Sequence, residues 1–431
     1  MRFCSTRDPQ LTRGFGEALR LGLAPDGGLF VPQAWPARDA ADWPQDLPLP
    51  SVAQRLIAPF VVDDALALAL PEMTREAFNF PAPLVSVAAD KLNVLELFHG
   101  PTAAFKDFGA RFLAACFQRL LQPGQREVNI LVATSGDTGG AVAAAFHRRP
   151  GVKVTVLFSQ GQVSPMQQQQ LTCWGDNVRS LAVRASFDAC QHLVKQAFVD
   201  PALRARFELS SANSINLGRL LPQVVYYAAT SLAIFRKAGR RPSFIIPSGN
   251  LGNAVACVWA RQLGLPIDEI VLAHNANRSV PDFLRTGEWT PHASIPTLAS
   301  AMDVGNPSNM ERLRALFPEL NALRLAVSAF SVDDAAIAAR IRSDFANYGR
   351  IWCPHTATAA EVYERLPEAL RARGPWVLVA TAHPAKFREI VQPLVGRDIE
   401  MPETLRQLFE RPSYFGTIDA TLESLRRALS T

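Results

Sequence analysis

The chain has 431 residues, 48% of them hydrophobic and 19% charged, with a formal net charge of +5. This length favours two or three packed units, and the composition is that of an ordinary soluble globular protein. Because the charge is weak and no Lys/Arg block occurs, the sequence gives no indication of a nucleic-acid surface.

The cysteines form no C-x-x-C pair, which favours reduced thiols over a disulfide framework or a metal site. The first ten residues are polar and do not resemble a secretory signal. The longest apolar-rich stretch, Val224 to Phe235, contains Thr230 and Ser231 and is too short to span a bilayer. We therefore expect a cytoplasmic protein without a membrane segment and without a metal.

The first 84 residues contain many prolines and few long apolar runs. The pattern predicts a helix from Thr12 to Leu21 and another from Ser51 to Pro59. Between them, Gly27 and Gly28 favour a turn that leads into a short strand. We interpret nearly all of this segment as structural.

A strand is predicted from Val94 to Phe98, and a helical pattern runs from Gly109 to Leu120. Lys106 lies at the junction between them, where α/β enzymes place chemistry. Phe105 and Phe108 would partly desolvate its amine, and a neutral amine can form a Schiff base. A lysine at such a position can also be a plain surface residue that caps a loop.

From Val128 the pattern is that of alternating strands and helices. Strands are predicted at 128–133, 152–158 and 178–183, and this order implies parallel pairing. The loop from Thr134 to Gly140 separates the first of these strands from an alanine-rich helix. The glutamine run, Gln167 to Gln170, is expected on a helix face.

A second glycine loop, Gly249 to Asn253, follows a predicted strand and precedes a helix from Ala254 to Leu263. Its backbone amides could approach an anion, although a plain turn or part of a dinucleotide site fits the loop as well. The chain contains neither G-x-G-x-x-G nor G-x-x-x-x-G-K-[ST], which disfavours NAD and ATP.

Near the carboxyl end, a capping box at Ser331 to Asp334 predicts a helix that ends at Gly349. Short strands are expected at Ile351 to Cys353 and at Trp376 to Thr381, and terminal helices follow.

The run from His99 to Asp107, HGPTAAFKD, resembles the lysine motif of the threonine synthase family, which belongs to the fold-type II pyridoxal-phosphate enzymes. Ser5 to Arg7 and Gly22 to Pro32 resemble the start of the same family, and the likeness extends to about Phe387. The resemblance implies an α/β fold with two α/β domains, parallel-rich sheets and an extra N-terminal segment. The expected units are the segment 1–84, a large cofactor-binding domain formed by 85–120 and 225–431, and a small inserted domain, 121–224.

The resemblance also implies pyridoxal 5′-phosphate as cofactor, bound to Lys106 through a Schiff base. Asp137 would lie near the 3′-oxygen of the ring, and Thr381 would form a hydrogen bond at the pyridine nitrogen. His383 and Lys386 belong to the motif around Thr381 and are expected to be mainly structural. The cofactor phosphate is assigned to the second glycine loop: Gly249, Asn250, Leu251, Gly252 and Asn253.

The substrate is expected to contact two further stretches. In this family the loop with Ser135 and Thr138 holds the substrate carboxylate, although a glycine-rich turn explains the pattern too. A guanidinium can bind phosphate through two parallel hydrogen bonds, so Arg219 is the candidate for binding the substrate phosphate. The residues expected to bind substrate beside Arg219 are Asn213, Ser214 and Asn216.

Two departures from the family pattern limit these expectations. Leu217 and Gly218 occupy the positions of the usual Trp-x before Arg219, and Cys353 replaces the aspartate that commonly precedes Pro354. We assign no role to Cys353. For Ser214 and Asn216, helix capping is an alternative to substrate binding.

The implied reaction converts the small molecule O-phospho-L-homoserine, with water, to L-threonine and phosphate, in a monomer or weak homodimer. A serine/threonine dehydratase or a β-replacement synthase would share Lys106 and the glycine loop, but the N-terminal segment and the stretch Asn213 to Arg219 argue against both. An inactive paralogue that binds a phosphorylated ligand is a third interpretation, and the intact Lys106 argues against it.

Overall fold

The structure is a computed structural model that describes residues 1–88, 91–121 and 124–430. Its strands, in chain order, are Phe3–Ser5 (β1), Thr12–Arg13 (β2), Phe30–Pro32 (β3), Leu84–Ala88 (β4), Leu92–Glu96 (β5), Val128–Thr134 (β6), Val152–Ser159 (β7), Val178–Val183 (β8), Glu208–Ser211 (β9), Ser243–Pro247 (β10), Ile270–His274 (β11), Ser328–Ser331 (β12), Trp376–Ala380 (β13) and Gly416–Ile418 (β14).

The α-helices in the described residues are Phe15–Leu21 (α1), Leu49–Val61 (α2), Leu70–Ala77 (α3), Lys106–Leu120 (α4), Asp137–Phe146 (α5), Pro165–Thr172 (α6), Phe187–Val199 (α7), Pro201–Arg206 (α8), Leu217–Leu220 (α9), Val224–Ala238 (α10), Gly252–Gln262 (α11), Ser279–Thr286 (α12), Met310–Leu316 (α13), Leu320–Ala326 (α14), Asp334–Tyr348 (α15), Pro354–Arg365 (α16), Glu368–Arg371 (α17), Arg388–Val395 (α18), Glu403–Phe409 (α19) and Leu422–Ser430 (α20). Short 3-10 helices lie at Ala40–Asp42, Leu221–Gln223, Ser300–Met302 and Pro384–Phe387.

The strands form three sheets. The larger one has the order β12-β11-β10-β13-β5-β4 and is parallel except at the β4–β5 edge. The second, in the order β14-β8-β7-β6-β9, is wholly parallel. A small antiparallel sheet, β2-β1-β3, belongs to the N-terminal segment. The predicted α/β fold with parallel-rich sheets and an extra N-terminal segment is confirmed.

The central strands are buried from end to end, as parallel strands with helices on both faces must be. Every residue of β6, β10, β11 and β13 is buried, and their sequences are correspondingly mostly apolar. Among the described helices, none combines the length and apolarity needed to cross a bilayer.

The C-terminal residues depart from the predicted domain division. Strand β14 pairs with β8 of the five-stranded sheet, and Leu425 of α20 belongs to the same apolar cluster as residues of β8 and α7. Residues near 416–430 therefore join the smaller sheet, whereas the sequence assigned all of 225–431 to the large domain. Because β8 and β14 lie more than 200 residues apart in the chain, no local sequence pattern indicates that they pair. The other predicted domain boundaries stay a prediction.

Three local predictions were wrong. The capping box expected at Ser331 to Asp334 is replaced by a different cap, because Ser331 ends β12 and Asp333 caps α15 by accepting from the Ala336 amide at 2.8 Å. The helix expected from Thr12 is preceded by the strand β2, and Gly14 has an extended backbone at its N-cap. Residues 351–353 do not form a strand; instead, Cys353 caps α16 by accepting a hydrogen bond from the Thr356 amide to its sulfur at 3.5 Å. In a run of only three residues, the sequence pattern does not distinguish a short apolar strand from an irregular segment that ends in a helix N-cap.

Gly109 permits a close approach between α4 and α9. A Cβ atom at this position would clash with the Arg219 carbonyl oxygen, and because that oxygen belongs to the backbone, α9 would have to move. We expect Gly109→Ala to destabilise the fold by about 1–3 kcal/mol, measured by urea unfolding, despite the gain in helix propensity. Gly140→Ala in α5 is the milder control, because its nearest contact would be the Gln170 Cβ at 3.2 Å. Unchanged stability of Gly109→Ala would contradict the close approach.

Candidate active site

Lys106 is the first residue of α4, and the loop before it is fixed to the end of β13. The Phe105 amide donates to the Thr381 carbonyl at 2.9 Å, and the His383 amide donates to the Ala103 carbonyl at 3.0 Å. Ala103 has a φ of 52°, in the left-handed region that residues with a Cβ rarely adopt. These contacts place Lys106 at the carboxyl edge of the larger sheet.

The Lys106 amine makes no hydrogen bond or ion pair within the described residues; its Nζ lies 4.4 Å from the centre of the Phe105 ring. Burial lowers its pKa to about 8, aided by the positive charges of Arg219 and Lys386 and opposed by the Asp137 carboxylate. Part of the lysine is therefore neutral near neutral pH. An amine of this kind can act as a nucleophile and as a base.

The second glycine loop lies between β10 and α11. Leu251 adopts a positive φ of 62° at the N-cap of α11, and no side chain caps the helix. The first-turn amides are thus available to an anion, which the helix dipole also favours. A Cβ on Gly249 would lie 2.8 Å from Met302 Cα, so this close approach requires glycine.

The two asparagines of this loop are held by their neighbours. Asn250 donates to Ser214 Oγ at 2.7 Å and accepts from the Ser308 amide at 2.5 Å. Asn253 accepts from the hydroxyls of two buried tyrosines, Tyr226 and Tyr227, at 2.5 and 2.8 Å. The Asn253 side-chain nitrogen is left without a partner in the described residues.

Asp137 begins α5 at the carboxyl end of β6. Gly136 before it has a φ of 136°, and a Cβ there would clash with the Gln167 side-chain amide. The Asp137 carboxylate pairs with Lys386 at 2.7 Å and lies 3.4 Å from Gln167 Nε2. Burial alone would raise the pKa of Asp137. The electrostatic effects of Lys386 and His355, together with the hydrogen bonds from Lys386 and Gln167, outweigh burial and lower this pKa overall. Asp137 is therefore an ionised carboxylate.

Arg219 is 1% exposed and lines the same cavity as Lys106. Its Nη1 donates to the Ala212 carbonyl, whereas its Nε has no partner in the described residues. Burial lowers its pKa to about 10, opposed by the Asp107 carboxylate, so the guanidinium stays charged at neutral pH. Arg219 therefore lines the cavity with an unsatisfied buried donor, which an anionic ligand could satisfy.

The other polar residues of this stretch are divided between cavity and core. Asn213 and Ser214 line the cavity. Asn216 does not: it is fully buried, accepts from the Gly218 amide at 2.9 Å, and donates to the Leu19 and Ser211 carbonyls. Its side chain is used for capping and packing, so the structure favours the capping alternative over substrate contact for Asn216.

The remaining predicted residues line the cavity as well. Ser135, Thr138 and Thr381 contribute hydroxyl groups, and Asp137 lies among them. Thr381 directly follows β13, so its position is set by the larger sheet, whereas Ser135 and Thr138 depend on the smaller one. The cavity therefore opens at the carboxyl edges of strands from both sheets, the usual position of α/β sites.

Sequence reasoning missed two contributors. The sequence predicts only that Gln167 lies on a helix face, yet its side chain is buried against Asp137. The sequence indicates no role for His355, yet it lines the cavity, accepts a hydrogen bond from the Ala301 amide at 3.1 Å, and has a pKa lowered to about 4 by burial. The signal available for His355 was its place directly after Pro354 at the start of a helix.

The cavity is suited to a ligand with anionic ends. Three residues that line it each carry a buried side-chain nitrogen without a partner in the described residues: Arg219 Nε, Asn253 Nδ2 and His355 Nδ1. Such atoms are rare unless a ligand or water satisfies them. Together with the free amides of α11 and the unpaired Lys106 amine, they fit pyridoxal phosphate. In the part of the chain that the structure describes, no His/Cys/Asp/Glu cluster could hold a metal.

Three family models match the chain. The model described as pyridoxal-phosphate dependent enzyme matches residues 79–382. The model for the threonine synthase N terminus matches residues 2–78, and the threonine synthase C-terminal model matches residues 356–429.

Individual threonine synthases are similar to this chain over its full length. A threonine synthase from Serratia marcescens is 38% identical over 431 residues, which are 100% of this chain and 99% of the relative. The crystal structure of threonine synthase from Escherichia coli matches with a TM-score of 0.92 at 36% identity, covering 100% and 99% of the two chains. A crystal structure of pyridoxal-phosphate-bound threonine synthase from Brucella melitensis matches with a TM-score of 0.90 at 34% identity, covering 100% of this chain and 98% of that one.

The resemblance drawn from the lysine motif is confirmed, and so is pyridoxal phosphate as the cofactor. The chain therefore belongs to the threonine synthase family, the pyridoxal-phosphate-dependent lyases of threonine biosynthesis.

Proposed function

We propose that the protein converts O-phospho-L-homoserine and water to L-threonine and phosphate. The observation that carries this proposal is the buried, charged Arg219, which lines the cavity of Lys106 and whose Nε has no partner in the described residues. The cofactor's own phosphate is assigned to the amides at Gly249 to Asn253, so a second fixed cation suits a second phosphate.

The cofactor would be attached through Lys106, with Asp137 beside its ring oxygen and the Thr381 hydroxyl at its pyridine nitrogen. When bound, it supplies an electron sink for negative charge at the substrate carbons. The Thr381 hydroxyl, unlike a carboxylate, would leave the pyridine nitrogen largely unprotonated. Its phosphate would bind the amides of Gly249, Asn250, Leu251, Gly252 and Asn253 at the N-terminus of α11, with the Asn253 side-chain nitrogen as a further donor.

The substrate would be held at two ends. Its carboxylate would bind Ser135 and Thr138 beside the N-terminus of α5, and its phosphate would bind Arg219 with Asn213 and Ser214. Holding both anions fixes the carbons between them against the Lys106 amine. With a pKa near 8, this amine can accept a proton and return it to a neighbouring carbon. The Arg219 charge would also stabilise the departing phosphate.

The test measures phosphate release from O-phospho-L-homoserine together with amino-acid analysis of the product. We expect equal amounts of phosphate and L-threonine, and neither product from Lys106→Ala. A keto acid formed from L-threonine or L-serine, without phosphate chemistry, would instead identify a dehydratase. Absence of turnover in a holoenzyme with bound cofactor would identify an inactive paralogue.

We also propose a cytoplasmic monomer or weak homodimer. The cysteines are free, and all but Cys4 are buried; these thiols and the absence of a membrane-spanning helix among the described residues are compatible with this location. Sedimentation at several protein concentrations tests the assembly, and a stable tetramer would contradict it.

A further inference from the structure

Lys386 is a second lysine at the active site, and the proposed chemistry does not use it. It lies in the 3-10 helix Pro384–Phe387, shortly after Thr381, and its side chain is fully buried. Its ammonium lies 2.7 Å from Asp137 Oδ1 and donates to the Thr102 carbonyl at 2.9 Å. A buried charge of this kind is costly unless its partners satisfy it, and both partners here are parts of the site.

These contacts join three separate segments. Thr102 belongs to the loop before Lys106, Asp137 begins α5 beside the smaller sheet, and Lys386 follows the last strand of the larger sheet. The smaller-sheet side is tied to Lys386 a second time, because Ser164 Oγ donates to the Lys386 carbonyl at 3.3 Å. Lys386 thus connects the two sheet-bearing parts of the molecule directly at the cofactor cavity.

The Thr102 carbonyl has a further role in this connection. It also accepts from Gln170 Nε2 of α6 at 3.0 Å, while the Thr102 amide and hydroxyl donate to Asp107 at 2.8 and 2.7 Å. The loop that carries Lys106 is therefore fixed from both sides. Without the Lys386 ammonium, Asp137 would lose its ion-pair partner in a buried position.

We propose that Lys386 is a positioning residue for the cofactor: it holds the Asp137 carboxylate in place and fixes the start of α5 against the Lys106 loop. Asp137 is the carboxylate expected to face the cofactor's ring oxygen, so its position determines how tightly the cofactor binds. The charged and titratable groups that share this environment are Lys106, Asp107, Arg219 and His355. His355 has a pKa near 4 and is neutral at neutral pH, so it does not replace the charge of Lys386.

The test is a double-variant cycle on cofactor affinity, which needs no substrate and is independent of the proposed reaction. Wild-type holoenzyme, Lys386→Met, Asp137→Asn and the double variant are dialysed against a series of pyridoxal 5′-phosphate concentrations. Bound cofactor is then measured by its visible absorbance. We expect Lys386→Met and Asp137→Asn each to raise the dissociation constant at least about tenfold, because they disrupt one interacting pair.

The double variant should bind within about threefold of Asp137→Asn alone, because Lys386 acts through Asp137. Lys386→Arg keeps the charge and should recover most of the affinity. If Lys386 only supported the fold, its removal would weaken binding equally in the Asp137→Asn background, and this additivity would overturn the proposal. Wild-type affinity of Lys386→Met would overturn it as well.

Folding is followed in parallel by the melting temperature. If Lys386→Met does not fold because Asp137 is left as a lone buried charge, the double variant removes both charges and provides the comparison with Asp137→Asn. In that case, an affinity of the double variant far below that of Asp137→Asn would overturn the proposal, and equal affinity would support it.

Discussion

Lys106→Ala is expected to lose at least about three orders of magnitude in turnover, because the proposed function gives this one side chain two roles, as the cofactor attachment and as the base. The pKa of Lys106 near 8 and its unpaired amine within the described residues are the structural reasons for both roles. Visible absorbance from covalently attached cofactor should disappear, although the Gly249 to Asn253 loop can still retain some cofactor without a covalent bond.

Lys386 supplies the matched comparison for this experiment, because it is the other lysine beside Asp137. Borohydride reduction of the wild-type holoenzyme, followed by peptide mapping, should mark the peptide that contains Lys106 and leave Lys386 unmodified. The Lys386 ammonium already has two partners, whereas the Lys106 amine has none in the described residues. Cofactor found on Lys386 would show that the attachment site is wrongly assigned.

The parts of the site that the sequence could predict are short and contiguous. A strand that ends in a glycine-rich loop and continues as a helix carries its chemistry within about ten residues, as at Ser135 to Thr138 and at Gly249 to Asn253. All of these residues, except Gly136, line one cavity together with Lys106 and Thr381. Gly136 contributes instead by its positive φ.

What the sequence could not predict depends on partners far along the chain. Asn216 is polar and lies three residues from Arg219, but its hydrogen bond to Leu19, 197 residues away, takes it out of the cavity. Lys386 likewise contacts Asp137 and Thr102, which lie 249 and 284 residues before it in the chain. The motif around Thr381 therefore includes Lys386 but does not indicate which residues it contacts. A local pattern indicates which residue types are present, whereas the fold determines which groups they meet.

Arg219→Ala is expected to lower kcat/KM for O-phospho-L-homoserine by about thirtyfold to a few thousandfold. Loss of a charge-assisted contact in a partly desolvated site costs roughly 2–5 kcal/mol. Arg219→Lys should recover only part of the loss, because lysine keeps the charge but not the planar fork. Steady-state phosphate release is measured for the wild type, Arg219→Ala and Arg219→Lys. The visible absorbance of the cofactor should persist in each enzyme, because Arg219 is not expected to contact the cofactor ring.

Arg314→Ala separates a specific contact from a general charge effect. Arg314 lines a wider, open cleft that adjoins the cavity and shares Asn213 and Asn250 with it, and its guanidinium lies 5.7 Å from the Phe283 ring centre. Its removal deletes the same charge at a greater distance, where solvent screens it, so we expect less than about a threefold loss. Equal losses in both variants would indicate long-range attraction instead of a phosphate site at Arg219. Near-normal turnover of Arg219→Ala would place the substrate phosphate elsewhere and reopen the choice between a synthase and a dehydratase.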